Sequence, residues 1–180
     1  MVAQHLAFGH GARVATLTSI MSTTGGHGVG RTHPQARWVL TTPTPVRDRD
    51  DYLDHVVAVA TTIGTPDRVD AAARARAAVS WDRGVHPHGT ARQLLAIRAD
   101  GDRTARLAAV QLPTLVVHGD RDPLIDVSGG EATARAVAGA RLEVVAGMGH
   151  DLPPVHVDGE VVPALLAHLW AHPAPAAASR

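Results

Sequence analysis

The apolar positions along this chain change their rhythm twice. Val14 to Ile20 alternates apolar and polar residues and is rich in β-formers, so it predicts a strand. Before it, Met1 to Phe8 places Val2, Ala3, Leu6 and Ala7 at helical spacing and predicts a helix with those residues on its apolar face. That helix opens without a capping residue, as if in mid-turn, and stops at Gly9 to Gly11. Ser22 to Pro34, full of Gly, Ser and Thr, reads as loop.

A helical rhythm then takes over. Asp48 to Ile63, Pro66 to Val79 and Thr90 to Ala99 predict helices with no strand between them, and Pro66-Asp67 suits a first helical turn. Trp81 to Gly89 reads as a loop holding His86 and His88. After Arg106 the rhythm shifts again. Pro113 to His118 is a short β-branched run expected to form a buried parallel strand. Gly129 to Ala138 predicts a helix, Arg141 to Val145 a second strand, and Val161 to His172 an amphipathic closing helix. Strand, helix, strand, helix implies a right-handed parallel unit. Pro173 to Arg180 is an Ala/Pro-rich tail expected to be disordered. No internal repeat is found.

Composition narrows the function. The chain has 180 residues, 45% hydrophobic and 19% charged, within the range of one globular domain. Seventeen basic residues, all Arg, balance seventeen acidic ones, so no net field favours nucleic acid or an anionic membrane. Aromatic residues make up 3%, too few for a base-stacking platform. The absence of Cys excludes disulfides, thiolate catalysis and Cys-ligated zinc. No apolar run is long enough to span a membrane and the first twenty residues do not read as a signal peptide, so a cytoplasmic location is expected.

Two loops carry the candidate chemistry. The first, His118 to Leu124 (His-Gly-Asp-Arg-Asp-Pro-Leu), follows a predicted strand directly; the second, Ala146 to Pro153 (Ala-Gly-Met-Gly-His-Asp-Leu-Pro), follows the next. Parallel sheets gather functional groups at the carboxyl ends of their strands. A carboxylate and an imidazole projecting from neighbouring strand ends suit a carboxylate that orients a general base. Asp120 and Asp122 also sit where Asp commonly caps a turn. His86-Pro-His88 lacks a partner cluster and reads as a solvent loop rather than a metal site. Gly25 to Gly30 lacks the Lys of a phosphate-binding loop and reads as a flexible connection. Trp38, Trp81 and Trp170 are expected to pack, and Met21 to line either a pocket or the core.

A strand followed by His-Gly-x-x-Asp-Pro resembles the acid loop of α/β-hydrolases, and a strand followed by Gly-x-Gly-His resembles their histidine loop, in the same order along the chain. By position Asp122 matches the catalytic acid and His150 the catalytic base. The closing Gly147 to Pro153 is similar to esterase-like members, including polyketide methylesterases. The resemblance implies an α/β fold, specifically the C-terminal part of an α/β-hydrolase, with about three parallel strands, flanking helices and a helical cap insertion. It divides the chain into core (1–26), cap (27–106), core (107–172) and tail (173–180). It implies an ester-like small-molecule substrate and neither a metal nor an organic cofactor; esterase, lactonase, haloperoxidase-like and C–C hydrolase relatives all remain open.

The family's nucleophile lies in Gly-x-Ser-x-Gly. Two residues before Ser19, Ser22, Ser80, Ser128 and Ser179 stand Leu17, Ile20, Ala78, Asp126 and Ala177, so no serine fits. The helix at Met1 resembles the one that follows the nucleophile, which places the elbow and the oxyanion loop before the first residue. The expectation is a serine ester hydrolase truncated before its nucleophile and inactive alone. Its first strand would present a free edge, open to an N-terminal half or to self-association. A non-catalytic small-molecule-binding or half-complementing protein, and a gene remnant, are the competing expectations.

Overall fold

The apolar run ending at His118 forms the middle strand of a three-stranded parallel sheet. A computed structural model describes residues 1–66, 72–86 and 88–173. Its strands are β1 (Leu17–Ile20), β2 (Thr114–Gly119) and β3 (Arg141–Val145), in the order β1-β2-β3. Leu17 pairs with Thr114 and Ile20 with Val117; across the other edge Leu115 pairs with Arg141 and Gly119 with Val145. All six residues of β2 are buried, as befits a central strand covered on both faces. β1 is shorter than the alternation from Val14 predicts. Its ladder begins where the Leu17 amide donates to the Pro113 carbonyl, just before β2 starts, so Val14 has no facing strand residue.

Two apolar layers sandwich the sheet. On one side Leu115 and Val117 pack with Val145, Met148, Val161 and Ala164. Elsewhere Leu17 packs with Ala7, Leu107, Val110 and Val137. Complete burial of a side chain such as Leu115 or Val117 contributes about 1.5–3 kcal/mol relative to exposure.

Helix α1 (Val2–Gly9) forms as expected, but the face it buries differs. Gln4 and Ala7 are buried, whereas Val2 and Leu6 are exposed. The reason is polar. The Gln4 amide donates to Ser19 Oγ and to the Thr23 carbonyl, and its Oε1 accepts from Arg103 Nε at 2.8 Å. Arg103, itself 2% exposed, also donates to the Thr23 carbonyl and pairs with Asp100 at 2.5 Å. His5 and Arg106 complete the ring around Asp100. Burial opposes the charge on that carboxylate, but hydrogen bonds from His5, Arg106 and Arg103 outweigh it and hold its pKa well below the usual range.

Between β1 and β2 lies a helical insertion: α2 (Arg37–Thr41), α3 (Arg49–Ile63), α4 (Ala73–Asp82), α5 (Gly89–Asp100) and α6 (Thr104–Ala108). Asp48 caps α3 by accepting from the amides of Asp50 and Asp51, two acidic residues that also suit its first turn. Tyr52 and Leu53 of α3 pack with Ala77 of α4, and the Tyr52 and Trp81 rings lie 5.3 Å apart. Trp81 and Asp82 complete α4 rather than opening the predicted loop. The first part of the helix predicted over Pro66 to Val79 falls on 67–71, outside the described residues, as does 174–180 of the tail. The short helices α2 and α6, five residues each, were too brief to show a period.

Helix α7 (Ser128–Ala136) connects β2 to β3. The chain closes through α8 (Pro154–His156), a π-helical turn at Val157–Val161 and α9 (Val162–Ala171). α9 turns Ala164 and His168 inward, while Val162, Leu166, Leu169 and Trp170 are exposed. Trp170, 75% exposed, is therefore not the packing residue its type suggested: it lies off the stripe that meets the sheet. No described helix is long and apolar enough to cross a membrane.

Candidate active site

β2 and β3 run side by side in the same direction, so the loops after Gly119 and Val145 emerge together at one end of the sheet. They are also sewn to each other. The Gly147 amide donates to Asp120 Oδ1 at 2.7 Å, the Asp120 amide to the Val145 carbonyl and the Arg121 amide to the Met148 carbonyl. A Cβ at Gly119 would strike the Met148 carbonyl, so only glycine permits this approach. Asp120 thus serves as the turn-capping carboxylate, while Asp122 has a second task.

Asp122 is 1% exposed. Its Oδ1 accepts from the amides of Leu124 and Ile125, both at 2.9 Å, which fixes the turn. Its Oδ2 lies 2.6 Å from His150 Nδ1. Burial pushes the Asp122 carboxyl up, yet the hydrogen bonds from His118 and His150, the charge of His150 and the Ile125 amide prevail, and its pKa is lowered to about 2. The group is therefore a carboxylate at neutral pH. An acceptor-only oxygen facing Nδ1 requires the proton on Nδ1, which leaves Nε2 of a neutral imidazole as the basic atom. The His150 side chain is 23% exposed, so the ring is partly open to solvent.

Sequence reasoning brought these two residues forward and the fold brings them together. It missed a third. His118, wholly buried at the end of β2, donates from Nε2 to the Ile125 carbonyl at 2.8 Å and stands 3.5 Å from Asp122 Oδ2. Its Nδ1 has no hydrogen-bond partner among the described residues and sits against Gly130, where a Cβ would fall 2.5 Å from that nitrogen and 2.9 Å from Cγ. A histidine closing an otherwise apolar buried strand was the available signal. Asp122 therefore lies between two imidazoles, one structural and one partly exposed.

The remaining candidates disperse. His86 and His88 are exposed, and among the described residues no group of three or more His, Asp or Glu side chains could hold a metal ion. The glycine-rich loop spends amides on its own surroundings: Gly25 and Gly26 donate to Thr23 and Thr24 Oγ1, Gly30 to Ser128 Oγ at the start of α7, and the following Arg31 to Asp126 Oδ2. Met21, at φ 45°, packs partly buried against the Leu115 and Met148 cluster. Among the described serines, Ser19 bonds Gln4, Ser22 bonds the Met1 amino group, Ser80 bonds the Arg76 carbonyl and Ser128 bonds Asp126. None is hydrogen-bonded to His150.

Known proteins resemble this chain in sequence and in fold. The family described as "Serine aminopeptidase, S33" matches residues 29–154. A non-heme haloperoxidase from Rhodococcus erythropolis is 36% identical over 61 residues, which cover 33% of this chain and 22% of that protein. A hydrolase from Pseudomonas aeruginosa PA01 superposes with a TM-score of 0.64 at 24% identity, covering 93% of this chain and 60% of that one. A bromoperoxidase from Bacillus anthracis superposes with a TM-score of 0.68 at 22% identity, covering 94% and 63%. The chain thus spans about three-fifths of these solved structures and a smaller part of the curated relative.

Proposed function

Because the chain belongs to the serine aminopeptidase S33 family of α/β-hydrolases, we propose that it carries the acid and base of a serine ester hydrolase, with Asp122 as the acid and His150 as the base. The observation that carries this reading is the 2.6 Å contact between Asp122 Oδ2 and His150 Nδ1 at adjacent strand ends. In the proposed reaction His150 Nε2 takes the proton from a serine Oγ as that oxygen attacks the ester carbonyl. It returns the proton to the departing alcohol, and water then releases the acyl group by the same route. The Asp122 carboxylate holds the ring and stabilises the imidazolium, without accepting the proton.

No serine of the chain lies in Gly-x-Ser-x-Gly; in this reading the nucleophile and the oxyanion donors come from sequence outside residues 1–180. Losing one oxyanion donor alone costs about 3–4 kcal/mol of transition-state stabilisation, so the chain by itself is expected to be inactive. Residues 27–106 act as a cap over a small, rather apolar acyl or alkyl group, and the setting is cytoplasmic. The partner is an N-terminal half, or another copy meeting the β1 edge.

The test is hydrolysis of p-nitrophenyl butyrate by the chain alone and by the chain joined to an in-frame upstream segment bearing Gly-x-Ser-x-Gly. Turnover is expected only in the joined protein and should be abolished by His150→Ala. Enzyme-like turnover by the chain alone, or a joined protein indifferent to His150→Ala, would sink the proposal.

A further inference from the structure

The histidine loop is not held by the sheet alone. Its backbone is also bonded to the end of α3, more than eighty residues earlier in the chain. The His150 amide donates to the Ile63 carbonyl at 2.7 Å. The Gly149 amide donates to Thr65 Oγ1 at 3.1 Å. In return, the Thr65 amide and hydroxyl both donate to Asp151 Oδ1, at 2.9 and 2.7 Å. Three consecutive residues of the loop, Gly149 to Asp151, therefore clasp Ile63 and Thr65, which flank Gly64 at the end of α3.

The contact is close enough to exclude side chains. A Cβ on Gly149 would collide with the Gly64 carbonyl and come within 2.6 Å of the Thr65 nitrogen; one on Gly64 would strike the Ala60 carbonyl. Thr65 is 9% exposed, so little solvent is available to replace a lost partner. Its hydroxyl spends its single proton on Asp151 and uses a lone pair for Gly149, which leaves no spare donor to rearrange.

We infer that Thr65 and Asp151 are positioning residues for His150, so that the end of α3 in the helical insertion is part of the support of the base. The orientation of the imidazole then depends on the place of α3. A displacement of α3 away from the sheet must break the His150 and Gly149 amide bonds and loosen the ring from Asp122. The insertion is, at this point, a fixed buttress and not a swinging lid.

This inference rests on the proposed role of His150, but its test reads the clasp without catalysis. Proton NMR of the full chain would follow two signals: the Nδ1–H resonance of His150, shifted downfield by the short bond to Asp122, and hydrogen exchange at the Gly149 and His150 amides. Thr65→Val keeps the shape and removes the hydroxyl. It should accelerate exchange at Gly149 by about tenfold or more relative to the Val116 amide in the sheet centre, and weaken or broaden the Nδ1–H signal. Thr65→Ser, which restores the hydroxyl, should return both towards wild type. If Thr65→Val does not fold, Asp151→Ala carries the same test, since it frees the Thr65 hydroxyl from its acceptor. Unchanged exchange and an unchanged Nδ1–H signal in the folded variant would overturn the inference, as would a Ser variant no better than Val. Indifference of ester hydrolysis to His150→Ala would instead strike the proposed function and leave the clasp standing.

Discussion

Asp122 and His150 are joined through Oδ2 and Nδ1 at 2.6 Å although 28 residues separate them in the chain. The carboxylate is buried, and its pKa is depressed from 3.8 to about 2. A carboxyl whose folded pKa is lowered stabilises the fold above its unfolded pKa, and that contribution disappears as pH falls through the folded value. The depression corresponds to about 2 kcal/mol. Asp122→Asn removes this titration. Urea unfolding of the two proteins from pH 7 to pH 2 should show a stability difference that is constant above about pH 5 and shrinks by about 2 kcal/mol towards pH 2. Parallel pH curves would show that the pair does not stabilise the fold.

Gly149 meets the end of α3 backbone to backbone. Gly149→Ala must push the two segments apart, and a cost of about 2–4 kcal/mol is expected from the overpacking and the broken loop bonds. Thermal unfolding measures it. A melting temperature within a degree or so of wild type would mean the loop yields freely.

Arg103 is buried with three kinds of acceptor: Gln4, the Thr23 carbonyl and Asp100. Arg103→Ala strands the Gln4 carbonyl and a half of the Asp100 pairing, at an expected cost of about 3–5 kcal/mol. Chemical denaturation should place the midpoint far below wild type. A loss under about 1 kcal/mol would show that water replaces the guanidinium without penalty.

Among the described residues, β1 has a strand neighbour on one side only. The Leu17 and Met21 amides bond β2, so by alternation in a parallel ladder the Thr18 amide faces the other edge. If that edge drives association, Thr18→Pro removes an outward donor while sparing the ladder. Sedimentation velocity should then show the wild type associating with concentration and the variant doing so less. Equal association of both would move the interface elsewhere, for example to the exposed Leu166 and Trp170 of α9.

Strands and long helices were legible because burial imposes a period. The β-branched run at Thr114–Gly119 and the capped start of α3 at Asp48 signal themselves within a few residues. Errors arose where a distant partner overrode the local pattern. Gln4 is buried in place of Val2 and Leu6 because Arg103, 99 residues away, offers it a bond. Trp170 is exposed because α9 meets the sheet through the smaller Ala164.

The chain order of strand, acid loop, strand and histidine loop was enough to bring the two loops together, since parallel neighbours must deliver their carboxyl-end loops to the same place; the resemblance to α/β-hydrolases then pointed to Asp122 and His150 within them. What depended on tertiary structure was everything that holds those two side chains still. The burial of His118 beside Asp122, the Asp120 bond to Gly147, and the clasp of Thr65 with Gly149 and Asp151 are contacts across the fold. A local pattern reports which face of an element is apolar. It carries no record of which polar group, tens of residues away, will be there to satisfy a buried amide.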